Sequence, residues 1–360
     1  MFDIINNICY NINKFTNIYI LTTINWEGSL MNAEERRNFW NTLCSLSGED
    51  IEKDMQILRE SIKYPRYLYR YRGVTPYTIE ALRTNSVYLS TADKYDDPFD
   101  TFLHIDVDAL KQEFVLPFAT KEGTEATFKA VNNLVGFEIY SIESFTKELL
   151  GNITQSFLQV AMALRDTTRK DIWSACFSEN GFNETLWLKY ADQHRGFALI
   201  YDLENKDNFL CGKQAICKNC MTANTNISLY PIYYADKPYD ATNFHKLVLA
   251  DTLERWTAKT IPPELRAELG SGCWEKEKIS LIKKKCHEYD EEWRILSNSE
   301  VKKIQWIPCG IILGLRMDEA IKNLVIGIAK MAGIKEIYQS FINEHNQMDK
   351  YLLKEKYSAH

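Results

Sequence analysis

The sequence predicts an α+β fold with a mixed, mainly antiparallel sheet and helical insertions. Short strand patterns recur along the 360-residue chain, but they do not alternate with single helices as they would in a doubly wound parallel sheet. Long helical patterns separate several of the strands instead. The composition allows a large core, because 45% of the residues are hydrophobic and 12% are aromatic.

The first third of the chain passes from helical patterns to strands. Residues 32–62 carry an apolar stripe at helical spacing. The segment 66-RYLYRYRG-73 alternates tyrosines with other residues and predicts a strand. A proline at the first helical position begins a helix over residues 76–85, and a short strand follows at 86–91. The acidic segment 92-ADKYDDPFD-100 contains a proline and is predicted to be a loop.

The remaining chain continues the same mixture of helices and strands. Residues 106–170 are mostly helical in pattern, and residues 242–285 predict a second helical region. Its basic end, residues 275–285, is expected on an exposed helix face. The strand 196–203 is almost wholly apolar, which predicts a central position in the sheet. The other predicted elements are strands at 172–179, 229–235, 292–298 and 336–341, two short strands within 301–315, and helices at 185–193 and 317–332.

Length and composition predict the domain organisation and the compartment. We expect one α+β domain over residues 63–360, preceded by a helical extension, residues 1–62. Met31 precedes a helix-like run, so we expect residues 1–30 to be peripheral and Met31 to be an alternative start. The chain shows no run of about 18 apolar residues and no signal-peptide pattern. Nine irregularly spaced cysteines predict reduced thiols, and these features together predict a cytoplasmic protein without a membrane partner.

Charge and motif content argue against several classes of function. A net charge of -6 argues against a surface devoted wholly to nucleic acid. The patterns of phosphate loops, dinucleotide-binding Rossmann folds, nucleophile elbows and HExxH zinc proteases are absent from the sequence. The candidate site must therefore be found from smaller groups of residues.

The first group consists of Arg70 and Arg72 on the predicted strand 66–73. Residues two apart on a strand share a face, so the two guanidinium groups form a fork suited to phosphate. Gly73 lets a ligand approach the backbone. The alternative is an exposed edge strand whose charged residues face water.

The second group lies in the segments 176-CFSE-179 and 187-WLKY-190. Ser178 ends a predicted strand beside a turn, where polar groups often face a site. Trp187 and Tyr190 are three apart on a short helix and share a face, so they are candidates to stack on an aromatic base. The alternative is an ordinary aromatic pair in the core.

The third group is the segment 289-YDEEWRIL-296. A regular pleat places Glu292 and Arg294 on one face of the strand, and it brings Asp290 to the same side as Glu292. Paired carboxylates suit acid–base chemistry or stabilisation of a cationic transition state. The alternative is a solvated strand start with a Glu292–Arg294 contact. Glu291, on the opposite face by alternation, is expected to be solvated.

Two weaker patterns involve cysteines and lysines. Cys211, Cys217 and Cys220 are candidate zinc ligands, although a fourth ligand would have to come from far along the chain. Cys273 and His287 are the candidates for that fourth position. Lys283 and Lys285, near the acidic triplet, are candidates to bind a phosphate.

Six segments taken in order resemble DUF family 2971, a bacterial domain family of unknown function. They are YRYRG, VYLSTADKYDDPFD, ACFSE, LWLKYADQHRGFALIYD, YDEEWRIL and CGIILGLRM. The resemblance covers residues 66–345. The chain departs from the family pattern at Asp96, where asparagine is usual, at His287, where tryptophan is usual, and at Asp290, where the longer glutamate is usual.

At a greater distance, the order of these motifs is similar to that of the ADP-ribosyltransferase superfamily. In that superfamily a strand with an arginine or histidine comes first, a strand with a serine or tyrosine second, and a glutamate at a strand start last. On that pattern Arg72 (or Arg70) matches the first element and Ser178 the second. Asp290 and Glu292 match the third. The resemblance implies a split sheet that takes NAD as substrate, without a metal.

The same resemblance implies roles for individual residues. Glu292 would stabilise the cationic transition state as nicotinamide leaves the ribose, with Asp290 as its helper. Arg72 would hold the pyrophosphate, and Ser178 would brace Glu292 or the ribose. Tyr88, Trp187 or Tyr190 would stack on nicotinamide, and Asp97 would orient an arginine or a target group. The implied cofactor-binding set is Arg70, Arg72, Tyr88, Ser90, Asp97, Trp187, Tyr190 and Arg294.

Three functions therefore stay open at the level of sequence. The first is an NAD-using ADP-ribosyltransferase or NAD glycohydrolase, acting as a bacterial toxin or antiphage effector on a protein or nucleic-acid acceptor, with a regulatory partner. The second is a magnesium-dependent nucleotide- or nucleic-acid-processing enzyme that uses Asp96, Asp97, Asp290 and Glu292. The third is a non-catalytic ligand-sensing module in which Glu292 and Arg294 form a structural pair.

Overall fold

The predicted α+β class is confirmed. The computed structural model of the chain describes residues 30–114, 142–203, 209–210, 227–257, 272–297 and 302–353, together with Glu125 and Lys129. In these residues, helices pack around a mixed sheet whose strand pairs are mostly antiparallel. All but the last residue of the predicted peripheral segment 1–30 lies outside the described residues.

The elements are numbered here in chain order. The helices are α1 (Ala33–Ser45), α2 (Ile51–Glu60), α3 (Pro76–Arg83), α4 (Val107–Phe114), α5 (Ile142–Asp171), α6 (Glu184–Tyr190), α7 (Thr242–Thr257), α8 (Glu275–Ser280) and α9 (Glu319–Met331). The first eight strands are β1 (Tyr67–Arg72), β2 (Ser86–Tyr88), β3 (Ser90–Thr91), β4 (Leu103–His104), β5 (Trp173–Ser178), β6 (Phe197–Asp202), β7 (Phe209–Leu210) and β8 (Ile227–Pro231). The other strands are β9 (Tyr233–Ala235), β10 (Tyr239–Asp240), β11 (Ile282–Lys284), β12 (Glu292–Ser297), β13 (Lys303–Trp306), β14 (Gly310–Leu313), β15 (Glu336–Ile342) and β16 (Met348–Leu352).

The main sheet contains nine strands in the order β16-β15-β14-β6-β1-β5-β12-β8, with β3 joined to β5 off this path. Strands β14 and β15 run parallel, and the other neighbours along this path run antiparallel. Strand β6 lies between β14 and β1, and almost all of it is buried, as its apolar sequence predicts. Strand β1 is also internal, so Arg70 and Arg72 do not lie on an exposed edge.

The sheet divides between β1 and β5. The two strands pair at one position, where Tyr69 lies opposite Ser178. Further along, β5 pairs with β3 instead, with Ser90 opposite Ser174. We call the resulting gap between β1 and β5 the fork. It leaves a space in the middle of the sheet that regular pairing would have closed.

The register of the strands determines which side chains share a face. Side chains at directly paired positions point to the same side of a sheet. Glu292 pairs with Ser178, which pairs with Tyr69, so these three share one face. Arg70 points to the other face, where its guanidinium lies 5.4 Å from the centre of the Phe177 ring. At the fork, side chains from both faces can reach the same space.

The main hydrophobic cluster includes residues from both the sheet and the amino-terminal helices. Phe39 and Leu43 of α1 and Leu58 of α2 are fully buried in the same cluster as Trp293 and Ile295 of β12. Burying apolar side chains of this size stabilises a fold by roughly 1.5–3 kcal/mol each. The helices of the amino-terminal extension therefore pack into the same core as the strand that carries Glu292.

The helical prediction for residues 32–62 needs one correction, since the structure contains two helices there. Asn32 and Glu35 form a capping box that begins α1. The first helix ends before Gly48, whose φ of 75° is unfavourable for other residues. Asp50 then caps α2 by accepting a hydrogen bond from the Lys53 amide.

The basic segment 275–285 also differs from its prediction as one exposed helix. The helix α8 ends at Ser280, and the chain continues as strand β11, which pairs in parallel with β9. Lys283 is buried on this strand. Periodicity did not predict this change, because the short strand depends on its pairing with β9 and on the ion pairs of Lys283 with Asp290 and Glu292.

We expect Leu43→Ala to lower the free energy of unfolding by about 2–5 kcal/mol, because it leaves a cavity in the main core. Urea denaturation followed by circular dichroism measures the change. Asn41→Ala, at an exposed position of the same helix, should change the stability by less than about 0.5 kcal/mol. Equal midpoints for the two variants would show that α1 does not pack on the sheet in solution.

Candidate active site

A cavity of about 290 Å³ lies at the fork. Its walls come from β1, β2, β3, β5 and β12, from the acidic loop 92–100, from α6 and from β11. The volume is close to the lower end of the roughly 300–1,000 Å³ that ligand sites usually have.

Most of the residues predicted for the site line this cavity. The predicted catalytic residues that do so are Arg72, Ser178, Asp290 and Glu292. The predicted cofactor-binding residues that do so are Arg70, Tyr88, Ser90, Asp97 and Tyr190. Asp96 lines the cavity as well. Side chains from distant parts of the sequence therefore meet in one space.

Trp187 and Arg294 do not lie where a ligand would reach them. Trp187 is fully buried, its indole N–H donates to the Gly181 carbonyl at 3.0 Å, and its ring stacks on His194. It packs in the core because α6 turns Leu186 and Tyr190, four residues apart, toward the cavity. Arg294 is also fully buried, and its guanidinium donates to Glu292 and Asp100.

A buried ionic network forms one wall of the cavity. Lys283 Nζ donates to Asp290 Oδ2 and to Glu292 Oε2, each at 2.8 Å. Arg294 donates from Nε to Glu292 Oε1 and from Nη2 to Asp100 Oδ2, each at 2.6 Å. Both oxygens of Glu292 therefore have a cationic donor.

The charges of this network do not cancel. Asp100, Asp290 and Glu292 bring three negative charges, and Lys283 and Arg294 bring two positive ones. Burial would raise the pKa of Glu292, but Arg294 and Lys283 hold that pKa well below its usual range. Glu292 is thus ionised at neutral pH, and the five groups carry a formal net charge of -1.

Asp290 provides an unsatisfied acceptor in the same wall. Its Oδ2 accepts from Lys283, whereas its Oδ1 is buried without a hydrogen-bond partner in the described structure. A buried acceptor without a donor costs roughly 1–3 kcal/mol, so a ligand hydroxyl that donated to it would be stabilising.

The two arginines form the opposite, positive wall. Arg70 is only 8% exposed, and Arg72 is partly exposed. Within the described residues, the two guanidinium groups donate to backbone carbonyls and pair with no carboxylate, and Arg70 Nε is buried without a partner. Burial and the neighbouring Arg72 lower the pKa of Arg70 to about 9, so it remains charged at neutral pH. Two adjacent cations without a counter-ion are suited to an anionic ligand.

The position of Arg72 depends on a close approach of strand β6. A Cβ atom on Gly196 would lie 2.1 Å from the Arg72 carbonyl oxygen, which is closer than any real contact. Glycine at this position therefore allows the start of β6 to close on the end of β1.

A second ion pair anchors the start of β12 from behind. Arg36 of α1 donates to the Glu292 carbonyl at 3.0 Å and to Glu179 Oε1 at 2.5 Å. Glu179 also accepts from the Trp293 indole N–H and from the Met31 amide, each at 2.6 Å. Helix α1 therefore holds the backbone that carries Glu292.

Glu291 differs from the expectation that it is simply solvated. Its φ of 45° places it in the left-handed region, and its carbonyl accepts from the Glu179 amide at 3.0 Å. Its side chain is half-buried, and burial raises its pKa. This corner turns the chain between Asp290 and Glu292, so that both side chains reach Lys283.

The sequence did not single out Asp100, Arg36 or Glu179 as members of these networks. Asp100 ends the acidic loop and Glu179 directly follows Ser178, so both adjoin residues that were singled out. Arg36 lies on an ordinary amphipathic helix and gives no local signal. Lys283 was considered only as a phosphate ligand, whereas the structure pairs it with carboxylates.

The metal candidates receive no added support. Cys211, Cys217 and Cys220 lie outside the described residues. Within the described ranges, no three histidine, cysteine or acidic side chains are grouped to hold a metal ion. Two residues were candidates for the fourth zinc ligand. Of these, His287 has its Nε2 3.2 Å from Asp97 Oδ2, and Cys273 is exposed.

Comparisons with known proteins leave the site to be interpreted from its own geometry. No family model matches the chain, and no curated protein or solved structure is significantly similar to it. In the part of the chain that the structure describes, no helix has both the length and the apolar character needed to cross a bilayer.

We expect Lys283→Met to lower the free energy of unfolding at pH 7 by about 3–5 kcal/mol, because two buried carboxylates lose a shared cation. The lowered pKa of Glu292 contributes stability above its unfolded pKa, and this contribution is lost as pH falls through the folded pKa. Removing Lys283 raises that folded pKa. The difference in urea midpoint between wild type and variant should therefore be largest near pH 7 and should narrow toward pH 4.

The matched control is Lys276→Met, which removes an exposed pair with Asp171. It should change the free energy of unfolding by less than about 1 kcal/mol at either pH. A Lys283→Met midpoint that equals the control would show that the buried network does not stabilise the fold.

Proposed function

We propose that the chain belongs to DUF family 2971 and acts on NAD, as an ADP-ribosyltransferase-like enzyme or an NAD glycohydrolase. The observation that carries this proposal is a complementary pair of unsatisfied atoms lining one cavity. Arg70 Nε is a buried donor without an acceptor, and Asp290 Oδ1 is a buried acceptor without a donor. A phosphorylated ribose offers an anionic acceptor and hydroxyl donors to match both.

The positive wall supports binding of a pyrophosphate. Arg70 and Arg72 carry adjacent charges that no described carboxylate neutralises. Guanidinium groups donate in a planar fork that fits phosphate oxygens, and such charge-assisted hydrogen bonds are about twice as strong as neutral ones. The anionic centre of NAD would supply the missing counter-charge.

The negative wall supports cleavage of the bond between nicotinamide and ribose. When that bond breaks, both electrons go to the ring nitrogen, which neutralises the pyridinium and leaves an oxocarbenium-like cation at C1′. Glu292 is ionised, and its oxygens keep lone pairs that can accept from a ribose hydroxyl. The net negative charge of the network stabilises the cation.

The reaction ends when a nucleophile bonds to C1′ and loses a proton to solvent. With water as nucleophile the products are ADP-ribose, nicotinamide and a proton. With an acceptor group the product is a modified target. Tyr190 and Tyr88 line the cavity with part of each ring exposed, so they are the candidates to stack on nicotinamide.

A second candidate rests on the acidic residues of the cavity, which suggest magnesium-dependent processing of a nucleotide or nucleic acid. Asp96, Asp97, Asp290 and Glu292 all line it. The ammonium of Lys283 lies between Asp290 and Glu292, at 2.8 Å from each, where a shared cation would have to lie. This contact favours the hypothesis of an NAD-using enzyme over that of a magnesium-dependent one.

The biological role that we propose follows from the chemistry. An enzyme that consumes NAD or modifies cellular targets harms the cell that contains it, as a toxin or an antiphage effector does. Such activity would require a trigger or a regulatory partner.

We expect purified wild-type protein to release nicotinamide from NAD, measured by chromatography with and without candidate acceptors. Glu292→Gln should lower kcat by about 100-fold or more, because the transition-state cation loses its carboxylate. Arg72→Ala should raise KM by about 10–100-fold, the effect of losing a hydrogen bond to a charged group. Glu319→Gln, an exposed change on α9, should alter neither constant.

Circular dichroism and a urea midpoint for each variant separate chemical effects from unfolding. Arg72→Ala is the safer variant, because Arg72 makes no contact with the buried ionic network. Absence of nicotinamide release by wild type would refute the proposal. Cleavage of nucleic acid that depends on magnesium and stops with a chelator would support the second candidate instead.

A further inference from the structure

A second cavity of about 390 Å³ lies beside the first, between β1, β6, α3 and β2. We call it the rear cavity. Arg70, Arg72 and Tyr88 line both cavities. The two spaces are therefore neighbours, with the pair of arginines at their common boundary.

The orientation of Arg70 places its charge at that boundary. Its Nη2 donates to the Tyr88 carbonyl at 3.0 Å, and its guanidinium lies over the Phe177 ring. These contacts fix the plane of the group, while its Nε stays without a partner. A ligand phosphate at this position would be anchored between the two cavities.

The lining of the rear cavity differs from that of the first. Ala81, Phe197 and Leu199 supply apolar surface. The hydroxyls of Thr78 and Ser86 are already engaged locally, with the Gly73 carbonyl and Thr84 respectively. The cavity is therefore suited to a group with apolar faces.

The aromatic residues that line the rear cavity favour a flat ligand group. Tyr77 and Tyr88 line the rear cavity, and the Tyr77 side chain is 84% exposed. Among the described residues, Glu80 is the one carboxylate that lines the rear cavity, and it accepts from Arg83 Nε and Nη2, each at 2.8 Å. A nucleobase has the required shape, and stacking on an aromatic side chain contributes about 1–3 kcal/mol per base.

We propose that the rear cavity is the subsite for the second nucleoside of a dinucleotide, whose pyrophosphate lies on Arg70 and Arg72. The inference rests on the proposed function, since it takes NAD as the ligand. The adenine end then occupies the rear cavity, and the nicotinamide end lies beside the network of Glu292. Two neighbouring cavities with two cations at their boundary match a molecule with two ring ends and an anionic centre.

The test measures binding of ADP-ribose and of nicotinamide mononucleotide to the full chain by titration calorimetry. Ala81→Leu fills the rear cavity with a good helix former and leaves the first cavity unchanged. It should weaken ADP-ribose binding about tenfold or more and leave nicotinamide mononucleotide unaffected. Tyr77→Ala, which removes an exposed ring, should have the same selective effect. Ala320→Leu, the same change at an exposed position of α9, should affect neither ligand.

The outcomes separate the inference from the proposed function. Equal weakening of both ligands, no weakening, or no ADP-ribose binding by wild type would overturn the inference. If wild type releases nicotinamide and Ala81→Leu leaves the KM for NAD unchanged, the proposed activity is supported and the proposed subsite is refuted. If the rear-cavity variants selectively lose ADP-ribose binding but wild type releases no nicotinamide, the proposed subsite is supported and the proposed activity is refuted.

Discussion

The buried ammonium group of Lys283 is the contact on which the geometry of the candidate site depends. It joins Asp290 to Glu292, and both carboxylates would otherwise repel each other inside the protein. Three backbone features make the contact possible. Strand β11 carries Lys283 into the interior through its pairing with β9. A short 3-10 helix, Lys285–Asp290, then brings the chain back, and the left-handed corner at Glu291 turns it into β12.

Arg294 and Asp100 extend the network, so that acidic side chains separated along the sequence act as one charged surface. Removing Lys283 would leave the two buried carboxylates without their shared cation.

The fork explains how a ligand can reach the interior of a sheet. Internal strands are normally closed by hydrogen bonds on both sides, but β5 changes partners from β1 to β3 along its length. The gap admits side chains from both faces. Negative charge comes from the face of Glu292, and positive charge comes from the face of Arg70. A sheet with continuous pairing would keep these groups on opposite sides, separated by backbone. The polarity of the cavity is thus a product of strand pairing rather than of any local cluster in the sequence.

Local patterns predicted much of this fold, and long-range contacts account for most of what they missed. Alternating tyrosines identified β1, the apolar run identified β6 as internal, and the proline after Thr75 identified the start of α3. Spacing singled out the carboxylates Asp290 and Glu292, and both line the same cavity. They do so because the left-handed corner at Glu291 turns both side chains toward it, and not because of a regular strand pleat. Trp187 was expected beside the ligand together with Tyr190, but it lies in the core. Helical spacing alone cannot tell which face of α6 meets the core. The partners of Lys283 and Arg36 could not be assigned, because spacing alone does not show which nearby carboxylates turn inward to Lys283, and Glu179 and the Glu292 carbonyl lie far along the chain from Arg36.

The contact between Arg36 and the Glu292 carbonyl joins residues 256 positions apart in the chain. Its consequence concerns the order of events during synthesis. Loop closure over such a distance is entropically costly and slow compared with local structure. The helix that supports the site is among the first described segments to leave the ribosome, and it must wait until β11 and β12 have been made. A nascent chain therefore carries the arginines of β1 long before it carries a supported carboxylate. The candidate site can therefore assemble only after the chain has been made as far as β12.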